Sequence, residues 1–366
     1  MKVKLVTSLR DFDSLAGVWA DMARASGQPS PFLSHDWFAC CWRTAGPDRR
    51  RELWVIEDDA APLALIPLTL TRATMRGLPV RRLGILDSPD TPVFDFVVTG
   101  RVDEVVATFL RFLRSRRDWD LLSLEKVPVH SPTLKALQTA LAADFRWRPA
   151  GVLASPFLDI RGTWEEFFRH KTQRFRKTCR NLENRIRRGG KVTLEEHCDV
   201  DPDGPIFAEM MEVSLQSWKG PRGLAMATMQ RMPRFFRELT RRASANGWLR
   251  LWILRLDGRP VATEYQVAQN GRIHALRADF DSSLADLSPG ACLNLSIVRT
   301  LFHHGTVGEY DMGPGINEYK LRWATGAHET TGVDVYAPTI YGHLLWTIEA
   351  HLLPLVRRWR RPEMNG

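Results

Sequence analysis

Two carboxylates stand where a proton can be taken. Glu264 lies in the strand-like run Pro260 to Ala268, two residues after Ala262 and two before Gln266, so the alternation of a strand turns all three to one face. A carboxyl among Val261, Tyr265 and Val267 is expected to have a raised pKa, which suits a proton acceptor working near neutral pH. Asp311, between Tyr310 and Met312 at the end of a short strand, competes for the same role, because strand ends border ligand crevices. Each has a plainer reading: Glu264 as the partner of an arginine across the sheet, Asp311 as the cap of the turn Gly313-Pro314-Gly315.

The second chemistry in the sequence is anion binding. In Leu287-Ser288-Pro289-Gly290-Ala291 a turn opens a helix that runs through Leu293, Ile297, Leu301 and Phe302. The first N–H groups of such a helix, with the positive end of its dipole, face outward toward a pyrophosphate or similar donor group. Asn294 follows one turn in, and Arg277 and Arg299 are the counter-charges nearest in sequence. The same three letters, Ser-Pro-Gly, also make a plain cap and turn. Lys320 is a candidate for holding a carboxylate or phosphate, and Trp218, with Lys219-Gly220 and Arg222, reads as a loop on the substrate side.

Charge concentrates in one place. The chain carries a net charge of +9, and Arg169 to Lys191 alone, with ten Lys or Arg against the single acid Glu183, accounts for all of it. Phe168, Phe175, Leu182 and Ile186 recur at helical spacing there, and Gly189-Gly190 stops the helix, so the cations fall on its other faces. Arg176 and Arg180 are the residues expected to meet a polyanion such as nucleotide phosphates, RNA or an anionic headgroup; the alternative is a solvated helix face.

These residues need elements to hold them. The first half reads as a helix over 12–24, a helix capped by Ser34, strands around Leu53–Glu57, Leu63–Thr71, Val80–Ile85 and Val93–Val98, a helix over Val102–Arg114 and a strand at Leu121–Leu124. After Ser155-Pro156 the order begins again. Thr163 caps a helix, the basic helix follows, then a strand over Lys191–Glu196 and helices around Ile206–Trp218 and Met232–Ala245. Strands Leu249–Leu256, Pro260–Ala268 and Arg272–Asp279 are joined by Asp257-Gly258 and Asn270-Gly271, the strongest hairpin signals in the chain. The reading is an α/β (α+β) chain of two tandem units, 1–155 and 156–340, each a mixed, mainly antiparallel sheet flanked by helices. A basic helix over 341–366 packs back on the body, the other reading of that helix being contact with an anionic membrane surface.

Length and composition bound the rest. With 366 residues, 44% hydrophobic and 25% charged, the chain can bury a sizeable core, and it holds no apolar run long enough to span a bilayer. The N-terminus lacks the apolar core of a signal peptide, so a cytoplasmic protein, peripheral at most to the inner membrane, is expected. Cys40, Cys41, Cys179, Cys198 and Cys292 form no Cys-x-x-Cys pair, and no metal site is expected from them or from His303-His304.

One stretch of about 70 residues is specific. Asp257-Gly258-Arg259-Pro260-Val261-Ala262, Leu287-Ser288-Pro289-Gly290, Tyr310-Asp311-Met312-Gly313 and Tyr319-Lys320-Leu321-Arg322-Trp323 occur in the order seen in CelD-like (cellulose-biosynthesis-type) acyltransferases of the GNAT superfamily. More distantly the chain resembles the FemABX peptidyltransferases. The resemblance implies two GNAT-like domains, the second holding the donor, and transfer of an acyl or aminoacyl group to an amine of a small molecule, sugar or envelope precursor. It implies acyl-CoA as a co-substrate rather than a resident cofactor, or aminoacyl-tRNA with tRNA as a partner. It also implies Tyr319 as the group that protonates a departing thiolate. The donor loop has fewer glycines and basic residues than GNAT enzymes show. A non-catalytic polyanion-binding protein is the reading from a different class.

Overall fold

The computed structural model describes residues 1–27, 30–59 and 61–352, in two compact units. Among the described residues the first comprises those within 1–87, 93–153 and 329–352; the second comprises Ser88–Pro92 and Ala154–His328.

The first unit opens with β1 (Lys2–Val6), α1 (Leu9–Ser14), α2 (Ala16–Ala25) and α3 (His35–Thr44), then β2 (Arg49–Asp58), β3 (Ala61–Met75), β4 (Leu78–Ile85) and β5 (Val97–Val98). It continues with α4 (Val102–Ser115), β6 (Leu121–Pro128), α5 (Pro132–Asp144) and β7 (Arg146–Pro149). The expected helix over 12–24 is two helices, because the backbone leaves helical geometry at Leu15 (φ −88°, ψ 1°). Ser34 caps α3 as expected, its hydroxyl accepting from Trp37 N at 3.1 Å. Phe12 stacks on Trp42 and meets Trp19 edge-on, and burying each such ring stabilises the unit by about 1.5–3 kcal/mol.

The second unit is β8 (Leu153–Asp159), α6 (Trp164–His170), α7 (Gln173–Arg188), β9 (Val192–His197), α8 (Pro205–Gln216), α9 (Met232–Ala245), β10 (Leu249–Leu256), β11 (Arg259–Gln269) and β12 (Arg272–Phe280). After a 3-10 turn over Ser282–Leu287 come α10 (Pro289–His304), β13 (Glu309–Asp311) and α11 (Glu318–Trp323). Its sheet runs β9-β10-β11-β12-β13-β8, antiparallel except for β12 and β13. Both hairpins are those the sequence predicts: Asp257 and Gly258, then Asn270 and Gly271, all take positive φ, the geometry of a two-residue turn matched to strand twist. The parallel pair needs a crossover, and α10 supplies it.

The chain then forms β14 (Gly326–Tyr336) and α12 (Ile340–Thr347). β14 pairs antiparallel with β6 and β7, so the segment after Glu329, which the sequence reading assigned to the second domain, builds the first unit's sheet. The basic residues Arg357, Arg358, Arg360 and Arg361 of the expected C-terminal helix lie outside the described residues. Among the described residues no helix is long and apolar enough to cross a membrane, and no His, Cys, Asp and Glu group has the makings of a metal site.

Candidate active site

Alternation along β11 divides its side chains as predicted. Thr263, Tyr265 and Val267 face α8 and α9, where Tyr265 meets the Phe236 ring edge-on and its hydroxyl lies 3.3 Å from that of Thr240. Glu264 and Gln266 face the opposite side, with Tyr310 of β13 and Asn294 of α10. The Glu264 side chain is buried, 3% exposed, and no arginine among the described residues pairs with it. Its Oε1 accepts from the Tyr310 hydroxyl at 2.5 Å and from Gln266 Nε2 at 2.7 Å. Gln266 is fixed in turn by Trp252, whose indole N–H donates to Gln266 Oε1 at 2.9 Å, and Asn294 Nδ2 donates to the Tyr310 oxygen at 3.3 Å. Both partners of the carboxylate lie on Oε1, and Oε2 takes no hydrogen bond among the described residues. Burial pushes the Glu264 carboxyl above its ordinary pKa, against the pull of Tyr310, Gln266 and Lys320.

Asp311 follows Tyr310 in β13 and is buried, but its surroundings act in the opposite direction. Burial alone would raise its pKa; His274, Ser155 and the Gly313 N–H outweigh that and hold the carboxyl below its usual range. Ser155 Oγ donates to Asp311 Oδ1 at 2.6 Å, Gly313 N donates to the same oxygen at 2.8 Å, and His274 Nδ1 lies 3.4 Å from Oδ2. The plainer expectation for Asp311 is therefore what the structure contains: it caps the glycine turn and stays ionised.

The remaining expectations divide. Tyr319, in α11, is 45% exposed; burial of its hydroxyl and the nearby Glu264 carboxylate raise its pKa, so it stays protonated. Lys320 is not available for a substrate anion in the way expected. Its side chain is buried, and Nζ donates to the carbonyls of Gly313 at 2.8 Å and Pro314 at 3.0 Å, holding the turn that follows β13. Burial lowers its pKa, while Asp311 and Glu264 pull the other way.

At the start of α10, Ser288 takes a left-handed backbone (φ 55°, ψ 49°) and its hydroxyl accepts from Arg185 of α7 at 3.1 Å. The first intrahelical bond runs from Cys292 N to the Ser288 carbonyl, so the N–H groups of Gly290 and Ala291 precede it, after Leu287 and Pro289 shape the turn. A Cβ on Gly290 would come within 2.9 Å of the Phe280 ring, so a small residue is required where the helix meets the end of β12.

The two arginines expected as counter-charges are used elsewhere. Arg299 pairs with Glu183 at 2.6 Å and covers the Trp164 ring. Arg277 faces Asp90 at 3.4 Å and donates to the Leu224 carbonyl at 2.5 Å. A register shift in the β11–β12 ladder sets Arg277 opposite Tyr265, on the α8 side of the sheet. There it joins Lys219, whose Nζ lies 2.5 Å from Asp279, and the loop bearing Trp218, 47% exposed under the Arg222 guanidinium.

The basic helix forms over Gln173–Arg188 and ends at Gly189 as predicted, but it begins later than the expected face, which included Phe168. Ile186 is buried, and Phe168, Phe175 and Leu182 pack on the second unit's core, with Phe168 on α6 because the helix breaks at Lys171-Thr172. Arg176 donates to the Arg169 carbonyl at 3.1 Å, and Arg180 is exposed. Among the described residues no carboxylate pairs with Arg174, Arg176, Lys177, Arg180, Arg185, Arg187 or Arg188.

Sequence reasoning missed Tyr310, His274, Ser155 and Trp252 as site residues. Gln266 carried a signal, its shared face with Glu264.

Residues 173–321, from the first residue of α7 into α11, match the acetyltransferase (GNAT) domain model, and the chain is an acyltransferase. Solved structures share the whole fold. FemX superposes with a TM-score of 0.55 at 12% identity, over 95% of this chain and 100% of that one. The C-terminal domain (DUF2156) of a proposed lysylphosphatidylglycerol synthetase from Agrobacterium fabrum gives 0.54 at 15%, over 93% and 97%. A tandem GNAT protein from the clavulanic acid biosynthesis pathway gives 0.52 at 13%, over 92% and 100%. No sequence relative is found among curated proteins.

Proposed function

We propose that the second unit transfers an acyl group from acyl-CoA to the amine of a small molecule, sugar or envelope precursor, with Glu264 as the base. The observation that carries this reading is the Glu264 carboxyl itself: buried, raised in pKa by that burial, with one oxygen held by two donors and the other without a hydrogen bond among the described residues. In the reaction the amine nitrogen bonds to the acyl carbonyl carbon, its proton passes to Glu264 Oε2, and the carbon–sulfur bond breaks. The departing thiolate takes up a proton, Tyr319 being the donor that the family resemblance implies, and the phenolate left behind regains one from solvent. The donor's phosphates sit at the Gly290 and Ala291 N–H groups, beside Arg185. The order of motifs from Asp257 to Trp323 supports the cellulose-biosynthesis-type branch of the superfamily.

The test is a thermal-shift and calorimetric titration with acetyl-CoA, a long-chain acyl-CoA and free CoA at two salt concentrations. Saturable, salt-tolerant stabilisation is expected, because a ligand that binds the native state stabilises it by mass action. No shift with any of the three overturns the donor assignment.

A second reading rests on α7. Seven cations without carboxylate partners, along a helix of 16 residues, exceed what one pyrophosphate requires, and favour an aminoacyl-tRNA donor. Binding would then weaken steeply as salt rises.

A further inference from the structure

Four residues around Glu264 make two hydrogen-bond chains that end on a single oxygen. One runs Trp252 Nε1 to Gln266 Oε1, then Gln266 Nε2 to Glu264 Oε1; the other runs Asn294 Nδ2 to the Tyr310 oxygen, then the Tyr310 hydroxyl to Glu264 Oε1. The direction of each chain is fixed, one at its outer end and the other at Glu264. An indole N–H only donates, so Gln266 must present its carbonyl to Trp252 and its amide nitrogen to Glu264. Tyr310 has one hydrogen, committed to Glu264, so the Asn294 atom beside its oxygen must be the amide nitrogen. Asn294 holds that orientation at the expense of its own Oδ1, which is buried with no partner among the described residues.

We propose that Tyr310 and Gln266 are positioning residues for the base: by occupying Oε1 they leave Oε2 as the one atom of Glu264 that takes the substrate's proton, and Asn294 and Trp252 lock the two donors in place. This rests on Glu264 being the base. When Oε2 takes the proton the carboxylate becomes a neutral acid and both bonds to Oε1 persist in weakened form, so no side chain has to turn during the step. The titratable groups facing Glu264 are Tyr310 of β13 and Tyr319 and Lys320 of α11; α10 contributes only the neutral Asn294.

The test needs no substrate and so separates this arrangement from the assignment of the reaction. Thermal unfolding of the full chain is followed from about pH 4 to about pH 9 for the wild type, E264Q, Y310F and the double variant Y310F/E264Q. A buried acid with a raised pKa destabilises the fold as pH rises through its titration, so the wild type loses stability relative to E264Q across that window. Removing a donor to the charged form raises the carboxyl further, so Y310F moves the window up by about half a pH unit or more, and the shift vanishes in the E264Q background. Q266M removes the other donor at similar volume and moves the window the same way; it carries the test if Y310F does not fold. An unmoved window in both variants, or a shift that persists without Glu264, overturns the proposal.

Discussion

The Tyr310 hydroxyl reaches Glu264 Oε1 at 2.5 Å from a strand that is not the glutamate's neighbour in the sheet: β12 lies between β11 and β13. That bond spans 46 residues of sequence and exists only because α10 carries the chain across to a strand parallel to β12. Glu264 and the hydroxyl that orients its carboxyl are therefore brought together by the crossover.

Glu264 titrates above the ordinary carboxyl range, so its ionised, proton-accepting form is lost as pH falls through that raised value. The rate of acyl transfer is expected to decline on the acid side with a limb above about pH 4.3, the ordinary glutamate value. A pH–rate profile checks this, and a limb at or below that value would count against Glu264.

Asp311 has the opposite sign. Its folded-state pKa is depressed, so its contribution to stability is present above about pH 3.9, the ordinary aspartate value, and is lost as pH falls through the lower folded value. D311N is expected to lose about 1–3 kcal/mol at neutral pH, with the gap to the wild type closing in acid. Urea unfolding at several pH values reads this directly.

The hairpin strands and the face that Glu264 shares with Gln266 were legible because they depend on neighbours: Asx-Gly turns and a period of two. Tyr310 was visible only as a flank of Asp311, since nothing in the spacing of residues 264 and 310 reveals a parallel pairing. Arg277 was placed with the phosphate turn because sequence distance suggested it; the ladder's register shift between Tyr265 and Gln266 set it on the other face. Lys320 was read by its charge, but the free carbonyls of Gly313 and Pro314 take up its hydrogens. β14 went unread altogether. Its partners lie in strands about 200 residues earlier in the chain.

Those two carbonyls give a prediction of their own. K320M keeps the buried apolar stem and removes the donors, so the Gly313 turn loosens at a cost of about 1–3 kcal/mol. Chemical denaturation measures the loss, and unchanged stability would mean that solvent satisfies the carbonyls equally well.

Reversing charge on α7 separates the two donor readings. The triple variant R180E/R187E/R188E changes exposed side chains without carboxylate partners, so the unfolding temperature should hold to within about 0.5 kcal/mol of stability. With acyl-CoA as donor, its affinity should fall by less than about tenfold; with an RNA donor, RNA affinity and its salt slope should both fall sharply. Filter binding and calorimetry on the same preparations give both numbers.

The proposed role of Glu264 is to take the proton in acyl transfer. Its most direct test is the single-turnover rate of transfer from acetyl-CoA and a long-chain acyl-CoA to a panel of amines, compared between the wild type and E264Q. We predict a fall of about 10²-fold or more in E264Q, with donor affinity preserved, since removing a positioned general base costs on that order. Rates within about twofold of each other, or a wild type that transfers from no acyl-CoA, would contradict the account.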